Sequence, residues 1–162
     1  MDRSGYDLNE TKKQIVLHFE DLLGRVEELQ HLSEEQWRTP INKGKWSIAE
    51  VVGHLISWDE FVLQQRIPFL FKETQLPKSP DTELINHQAS VVSKSRTKEE
   101  TIEMFIDGRK RIIKKIDNLE DDLWNQGFEI GEGTLTLFSY FFSIVEHDEH
   151  HLRQIHRVLR LV

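Results

Sequence analysis

Three histidines stand at positions that the surrounding residues assign to the apolar faces of helices. His147 and His151 are four residues apart, about one turn of an α-helix, so their rings project from the same face. They belong to a stripe with steps of three and four residues: Tyr140, Ile144, His147, His151, Ile155, Val158 and Val162. His54 interrupts an earlier stripe in the same way, which runs Val51, His54, Trp58 and then Phe61 or Val62. This pattern favours one shared site over three isolated core histidines.

A single divalent metal ion is the partner that best explains three inward imidazoles. Buried imidazoles need a partner for each ring nitrogen, and one ion satisfies three of them together. Three protein ligands with one position left open are typical of catalytic rather than structural zinc sites. Neutral ligands leave the ion its full charge, so a water or thiol bound to it loses a proton more easily. The chain has no cysteine, and any thiol would come from another molecule.

Two other metal motifs fit this region less well. In the metalloprotease motif H-E-x-x-H a glutamate follows the first histidine, but here Asp148 follows His147, and aspartate is one methylene shorter for the general-base role. Di-iron bundles use Glu-x-x-His pairs. The glutamates beside these histidines have no histidine three residues later, and the pair Glu28 and His31 stands alone at the end of the first helix. Protease and di-iron chemistry are therefore disfavoured.

Four further side chains are candidates for the surroundings of the site. Asp59 follows His54 by five residues and could orient a ligand or act as a base, although a solvated helix carboxylate is the commoner case. Gln154 could bind a ligand ring or a water through its amide. Trp58 and Tyr140 are candidates for the cavity wall, and for Trp58 an ordinary core position is the alternative.

Composition restricts the class of protein. Hydrophobic residues make up 38% and charged residues 30% of the 162 residues, as in a soluble globular protein with a substantial core. The absence of cysteine excludes disulfides, thiolate metal sites and a cysteine nucleophile. The net charge of −7, without a basic face, argues against nucleic-acid binding. Without an apolar signal core or a membrane-length run, we expect one cytoplasmic domain over residues 1–162 and no membrane contact.

Four long amphipathic helices are expected to carry the candidate residues. The first covers about residues 8–31, the second starts at the capping box of Ser47, and the third starts at Thr97. After a glycine-rich turn, Thr134 opens the last helix. A short extra helix capped by Asp81 lies between helices two and three, and no stretch shows sustained strand alternation. The sequence predicts an all-α, four-helix bundle with long loops.

Two motifs resemble those of a known family. Residues 46–55 (WSIAEVVGHL) and 147–155 (HDEHHLRQI) are similar to the two signatures of the DinB-like superfamily, which includes YfiT-type proteins regarded as metal-dependent hydrolases. The resemblance covers nearly the whole chain in layout. It implies a bundle of four helices, a nickel or zinc site at His54, His147 and His151, and a homodimer. Members of the family include transferases that use a low-molecular-weight thiol such as bacillithiol or mycothiol.

Three functions remain open from the sequence. The first is a metal-dependent enzyme acting on a small-molecule substrate, either a thiol-dependent S-transferase or a hydrolase. The second is a metal- or small-molecule-binding stress-response module without turnover. The third is a structural bundle whose histidines are accidental. Membership of a fold family does not decide among them, because function depends on the site.

Overall fold

The computed structural model describes residues 8–72 and 76–160. Within these residues there are six α-helices: α1 (Leu8–Glu27), α2 (Glu34–Trp37), α3 (Ile48–Gln65), α4 (Thr82–Ser95), α5 (Lys98–Asp117) and α6 (Leu137–Leu159). They are joined by single 3-10 turns and by two short strands, β1 (Gly127–Ile130) and β2 (Gly133–Thr136). Val162, the last member of the final apolar stripe, lies outside the described residues. The helices α1, α3, α5 and α6 are the four long ones.

Capping side chains start the helices that carry the candidate residues. The Ser47 hydroxyl accepts a hydrogen bond from the Glu50 N–H, and the Glu50 carboxylate accepts one from the Ser47 N–H, which confirms the predicted capping box of α3. The Thr97 hydroxyl caps α5 by accepting from the Glu100 N–H. Each cap satisfies backbone donors that have no partner within the helix. The start of α3, and with it the position of His54, is therefore encoded locally.

The four long helices pack around two adjoining clusters of buried side chains. Helix α1 packs against α5 and α6, while α3 packs against α5 and contacts α6. One cluster includes Trp37 and Phe105, and the other includes Phe19 and Trp124. None of the helices in the described part of the chain has the length and apolar character needed to span a membrane. The predicted four-helix bundle is confirmed.

The predicted extra helix, α4, is present and lies close against α3. Asp81 caps it by accepting from the N–H groups of Glu83 and Leu84. A Cβ at Gly53 of α3 would lie 1.7 Å from the Ser93 hydroxyl oxygen of α4. The missing side chain therefore permits this close approach, which brings the polar residues of α4 next to the inward face of α3.

A small hairpin precedes α6, and the sequence did not predict it. Strands β1 and β2 pair antiparallel through a two-residue connection that begins at Gly131, whose φ is +60°. Glycine adopts this left-handed conformation without strain. Phe128 of β1 is buried against Phe71 and Tyr140. The predicted start of the last helix at Thr134 is wrong because the second strand continues to Thr136, whose hydroxyl caps α6.

Candidate metal centre

The structure brings the three predicted histidines together. His54 lies on α3, and His147 and His151 lie one turn apart on α6. The Nε2 atom of His147 is 3.4 Å from Nε2 of His54 and 3.1 Å from Nε2 of His151. One nitrogen from each ring lies within 4.8 Å of the others. His54 and His151 are buried, while His147 is exposed on one side.

The outer ring nitrogens of two histidines are held by amide oxygens. His54 Nδ1 lies 2.8 Å from Asn86 Oδ1 of α4, and the Trp58 indole N–H donates to the same oxygen over 3.0 Å. An indole N–H can only donate, so this Asn86 atom is an acceptor and His54 Nδ1 carries the proton. His151 Nδ1 likewise lies 2.8 Å from Gln154 Oε1. Both histidines therefore direct an unprotonated Nε2 towards the cluster.

This donor set fits a divalent metal ion. Lone pairs on adjacent Nε2 atoms repel each other unless a cation or a proton lies between them. Zinc–nitrogen bonds of about 2.0 to 2.1 Å in a tetrahedral site separate neighbouring ligand nitrogens by about 3.3 to 3.4 Å. Two of the three separations, 3.4 and 3.1 Å, are close to that spacing, and the third is at most 4.8 Å. Hydrogen bonds to the outer nitrogen of ligating histidines are also the usual arrangement around metals.

Partial burial and the neighbouring histidines keep the three imidazoles neutral. Burial, and then the neighbouring His147 and His151, lower the pKa of His54 from its usual 6.5 to about 4. The pKa values of His147 and His151 are also lowered, again chiefly by burial. All three rings are therefore neutral near pH 7, with a single proton on each ring. A metal ion can bind there without first displacing protons.

A buried ion-pair network lies next to the histidines and connects three helices. Arg109 of α5 donates Nε to Asp59 of α3 (2.8 Å) and Nη1 to Asp148 of α6 (2.5 Å), and Nη2 donates to both carboxylates. The rings of Phe19 and Phe105 lie against its guanidinium. Burial opposes the charge on Arg109, but the two carboxylates outweigh burial and raise its pKa. The network holds α3 and α6 in the register that joins His54 to His147.

The predicted surroundings of the site differ in their roles. Gln154 hydrogen-bonds directly to His151. Trp58 donates to Asn86, and the same Asn86 oxygen accepts from His54. Tyr140 is buried two turns before His147. Asp59 is not a solvated carboxylate: it is 4% exposed and binds Arg109. The expectation of a solvated side chain is wrong because α5 places a cation opposite it.

Sequence reasoning missed Asn86 and Arg109. Arg109 interrupts the apolar stripe of α5 as the histidines interrupt theirs: Ile102, Phe105, Arg109, Ile112 and Ile116. Applying the same criterion to charged residues would have found it. Asn86 carries no comparable signal, because it lies 32 residues from His54 and meets it only through the packing of α4 on α3.

A cavity of about 310 Å³ lies beside the cluster. Its wall includes His147, Trp58, Tyr140, Arg66 and Ser79. A larger cavity of about 760 Å³, under the hairpin, shares Arg66 and Ser79 but includes none of the three histidines. The smaller cavity is therefore the one from which a ligand could reach the candidate metal centre.

Replacing Asn86 with leucine is expected to weaken zinc binding about 10- to 100-fold, which is the usual effect of removing a hydrogen bond to a ligating histidine. Without the amide oxygen, His54 can rotate and its Nδ1 proton has no acceptor. Competition titration with a chromophoric chelator measures the affinity. Gln88→Leu, at an exposed amide on the same helix, serves as the control and should bind zinc like the wild type. Equal affinities in both variants would show that Asn86 does not support His54.

Fold and site together define a four-helix bundle with a three-histidine cluster between its second and last long helices. The chain belongs to the DinB superfamily, whose sequence profile matches residues 14–155, and this confirms the family predicted from the two motifs. The fold is shared with YfiT from Bacillus subtilis, described as a probable metal-dependent hydrolase with an unusual four-helix bundle topology. The two are 20% identical, with a TM-score of 0.77 over 99% of this chain and 91% of that one. No curated protein gives a significant match to the chain.

Proposed function

We propose that the protein is a metal-dependent enzyme that binds one nickel or zinc ion through His54, His147 and His151. The observation that carries the proposal is the convergence of three neutral ring nitrogens beside a cavity that reaches His147. The description of YfiT as a probable metal-dependent hydrolase supports hydrolysis as the first reaction to test. Transfer of an external low-molecular-weight thiol, which the family resemblance suggests, is the second, and the absence of cysteine is compatible with either reaction.

Asn86, Gln154 and Tyr140 would each contribute to such a reaction. A bound divalent ion would supply Lewis acidity and lower the pKa of an attacking water or thiol. Asn86 and Gln154 keep the protons on the outer nitrogens, so the inner ones remain ligands. Burial raises the pKa of Tyr140 to about 12, so its hydroxyl stays protonated and can donate a hydrogen bond into the cavity.

The two buried carboxylates on the cavity wall are poorly suited to act as general bases. Asp59 and Asp148 each bind Arg109 through both of their oxygens. Each of these oxygens accepts a hydrogen bond from the guanidinium, so taking up a proton would weaken a buried ion pair. The proposed reaction relies on the metal ion to activate the nucleophile, rather than on a protein base.

Metal content and turnover together test the proposal. Untagged protein should contain one nickel or zinc ion per chain by mass spectrometry. Zinc- and nickel-loaded protein should hydrolyse an ester or amide from a substrate panel, or join an added thiol to an electrophile. That activity should be lost on chelation and restored by the metal. Bound metal without turnover across both panels would instead indicate a binding module. No metal even in excess zinc or nickel would exclude every metal-dependent role and leave a small-molecule-binding or structural bundle.

The remaining inferences from the sequence stay proposals. We infer a single domain over residues 1–162, a homodimer, a cytoplasmic location and a small-molecule substrate rather than a nucleic acid. The dimer rests on the family resemblance. Light scattering during gel filtration would give the mass of the particle and would contradict the dimer if it returned the 19.2 kDa of one chain.

A further inference from the structure

Two buried arginines line the cavity beside the histidines, and among the residues that the structure describes only Arg109 is paired with carboxylates. Arg109 is held by two carboxylates. Arg66 is 4% exposed and donates to two uncharged oxygens, the Pro77 carbonyl and the Ser79 hydroxyl (3.0 Å). Among residues 8–72 and 76–160, no carboxylate lies within ion-pair distance of Arg66. A buried cation without an anionic partner is costly, so its presence calls for an explanation.

Arg66 lies at the C-terminal end of α3, close to an aromatic ring. Arg66 is the C-cap residue of α3, and Pro68 in the next 3-10 turn prevents the helix from continuing. The backbone N–H of Arg66 still bonds to the Val62 carbonyl, while its guanidinium lies 4.7 Å from the centre of the Phe61 ring. The partial negative charge of the helix C-terminus and the aromatic ring stabilise the cation in part. Neither neutralises it.

The unused donors of Arg66 suit an oxyanion. A guanidinium has five N–H groups in a planar fork that matches the oxygens of a carboxylate, phosphate or sulfonate. Two of these groups are used by Pro77 and Ser79. The Tyr140 hydroxyl, also on the cavity wall and close to the Arg66 guanidinium, is a further neutral donor. His147 borders the same cavity, so one small molecule can contact both the histidine cluster and Arg66.

We propose that Arg66 binds the oxyanion of the substrate, so that the site acts on small anionic molecules whose reacting group faces the three histidines. This rests on the proposed function. A cavity of about 310 Å³ is at the small end of ligand pockets, which range over roughly 300 to 1,000 Å³. A cavity of this size limits the occupant to a small molecule, whose apolar part can contact side chains such as Trp58 and Ile144 while its charged group meets Arg66.

Binding of matched aromatic probes to metal-free protein tests this proposal separately from the metal chemistry. The probes are benzoate and phenylphosphonate, with benzamide as the neutral analogue, and ligand-observed NMR gives the affinities. After chelation, wild-type protein should bind one or both anions at least about tenfold more tightly than benzamide, as expected for a charge-assisted hydrogen bond. Which anion binds more tightly identifies the preferred oxyanion. Loss of metal binding or turnover would leave this result unaffected.

Variants then assign the preference to Arg66. Arg66→Gln should abolish the preference for the anions, and Arg66→Lys should retain part of it because the charge remains without the fork. Arg111→Gln, at an exposed arginine of α5 outside the cavity, is the matched control and should behave like the wild type. Circular dichroism checks that each variant is folded.

Three results would overturn the proposal. Equal binding of benzoate, phenylphosphonate and benzamide to wild type would do so without any variant. An anion preference that persists in folded Arg66→Gln or is lost in Arg111→Gln would assign it elsewhere. A preference seen only after zinc is added would mean that the anion binds the metal, and that Arg66 serves only to attach residues 77–79 to α3.

Discussion

Replacing His151 with alanine is expected to reduce zinc affinity by more than about 100-fold. Loss of a hydrogen bond that supports a ligand costs up to roughly 100-fold, and loss of the ligand itself should cost more. His151 is the buried ligand candidate whose Nε2 lies 3.1 Å from that of His147, and Gln154 orients its ring. Removing it leaves two nitrogens, too few for a tight site of this kind. His54→Ala should have a similar effect, because it removes the only candidate ligand contributed by α3.

Metal analysis and chelator competition measure this loss, and a neighbouring histidine provides the control. His150 is exposed and adjoins His151, with ring centroids 5.3 Å apart, but it is not part of the cluster. His150→Ala should therefore retain one ion per chain with wild-type affinity. If His151→Ala, still helical by circular dichroism, bound zinc as tightly as the wild type, the three-histidine centre would be wrong.

Replacing Arg109 with methionine is expected to lower the free energy of unfolding by about 3 to 5 kcal/mol. Methionine preserves much of the apolar contact with Phe19 and Phe105 but leaves Asp59 and Asp148 buried without a cation. The cost is the penalty of those unpaired charges rather than the strength of the ion pairs themselves. Urea unfolding followed by circular dichroism measures it.

The exposed ion pair of Arg111 and Asp107, also on α5, supplies the comparison. Arg111 contacts Asp107 at 2.9 Å, but both side chains are exposed, so Arg111→Met should change the stability by less than about 1 kcal/mol. Replacing Arg109, Asp59 and Asp148 together with apolar residues should recover much of the loss, since no buried charge remains. An Arg109→Met protein as stable as Arg111→Met would contradict the role of the network.

Several parts of the site could be predicted from interactions between residues close in sequence. The four-residue spacing of His147 and His151 determines that they share a helix face, and the helix geometry places their rings in contact. The capping box at Ser47 determines where α3 begins, and the apolar stripe on that helix determines that His54 faces inward. These features are local, because helix periodicity and capping depend on neighbours within about one turn.

Other features depend on packing between distant segments. Arg109 pairs with Asp59 and Asp148, which lie 50 and 39 residues away in the sequence. The buried charges therefore neutralise one another only when α3, α5 and α6 assemble. The hairpin before α6 forms because Gly131 allows the turn and Phe128 is buried against side chains from two other segments, rather than through strong strand alternation.

The sequence by itself determined the helices, their inward faces and the three histidines as a set. Only the tertiary structure decided which side chains support those histidines and lie beside them. Asn86 hydrogen-bonds to His54, Asp59 and Asp148 pair with Arg109, and Arg66 lines the cavity. The physical reason is that periodicity specifies which face of a helix is buried, whereas the partner on that face depends on how the loops and close contacts such as Gly53 with Ser93 place the next helix.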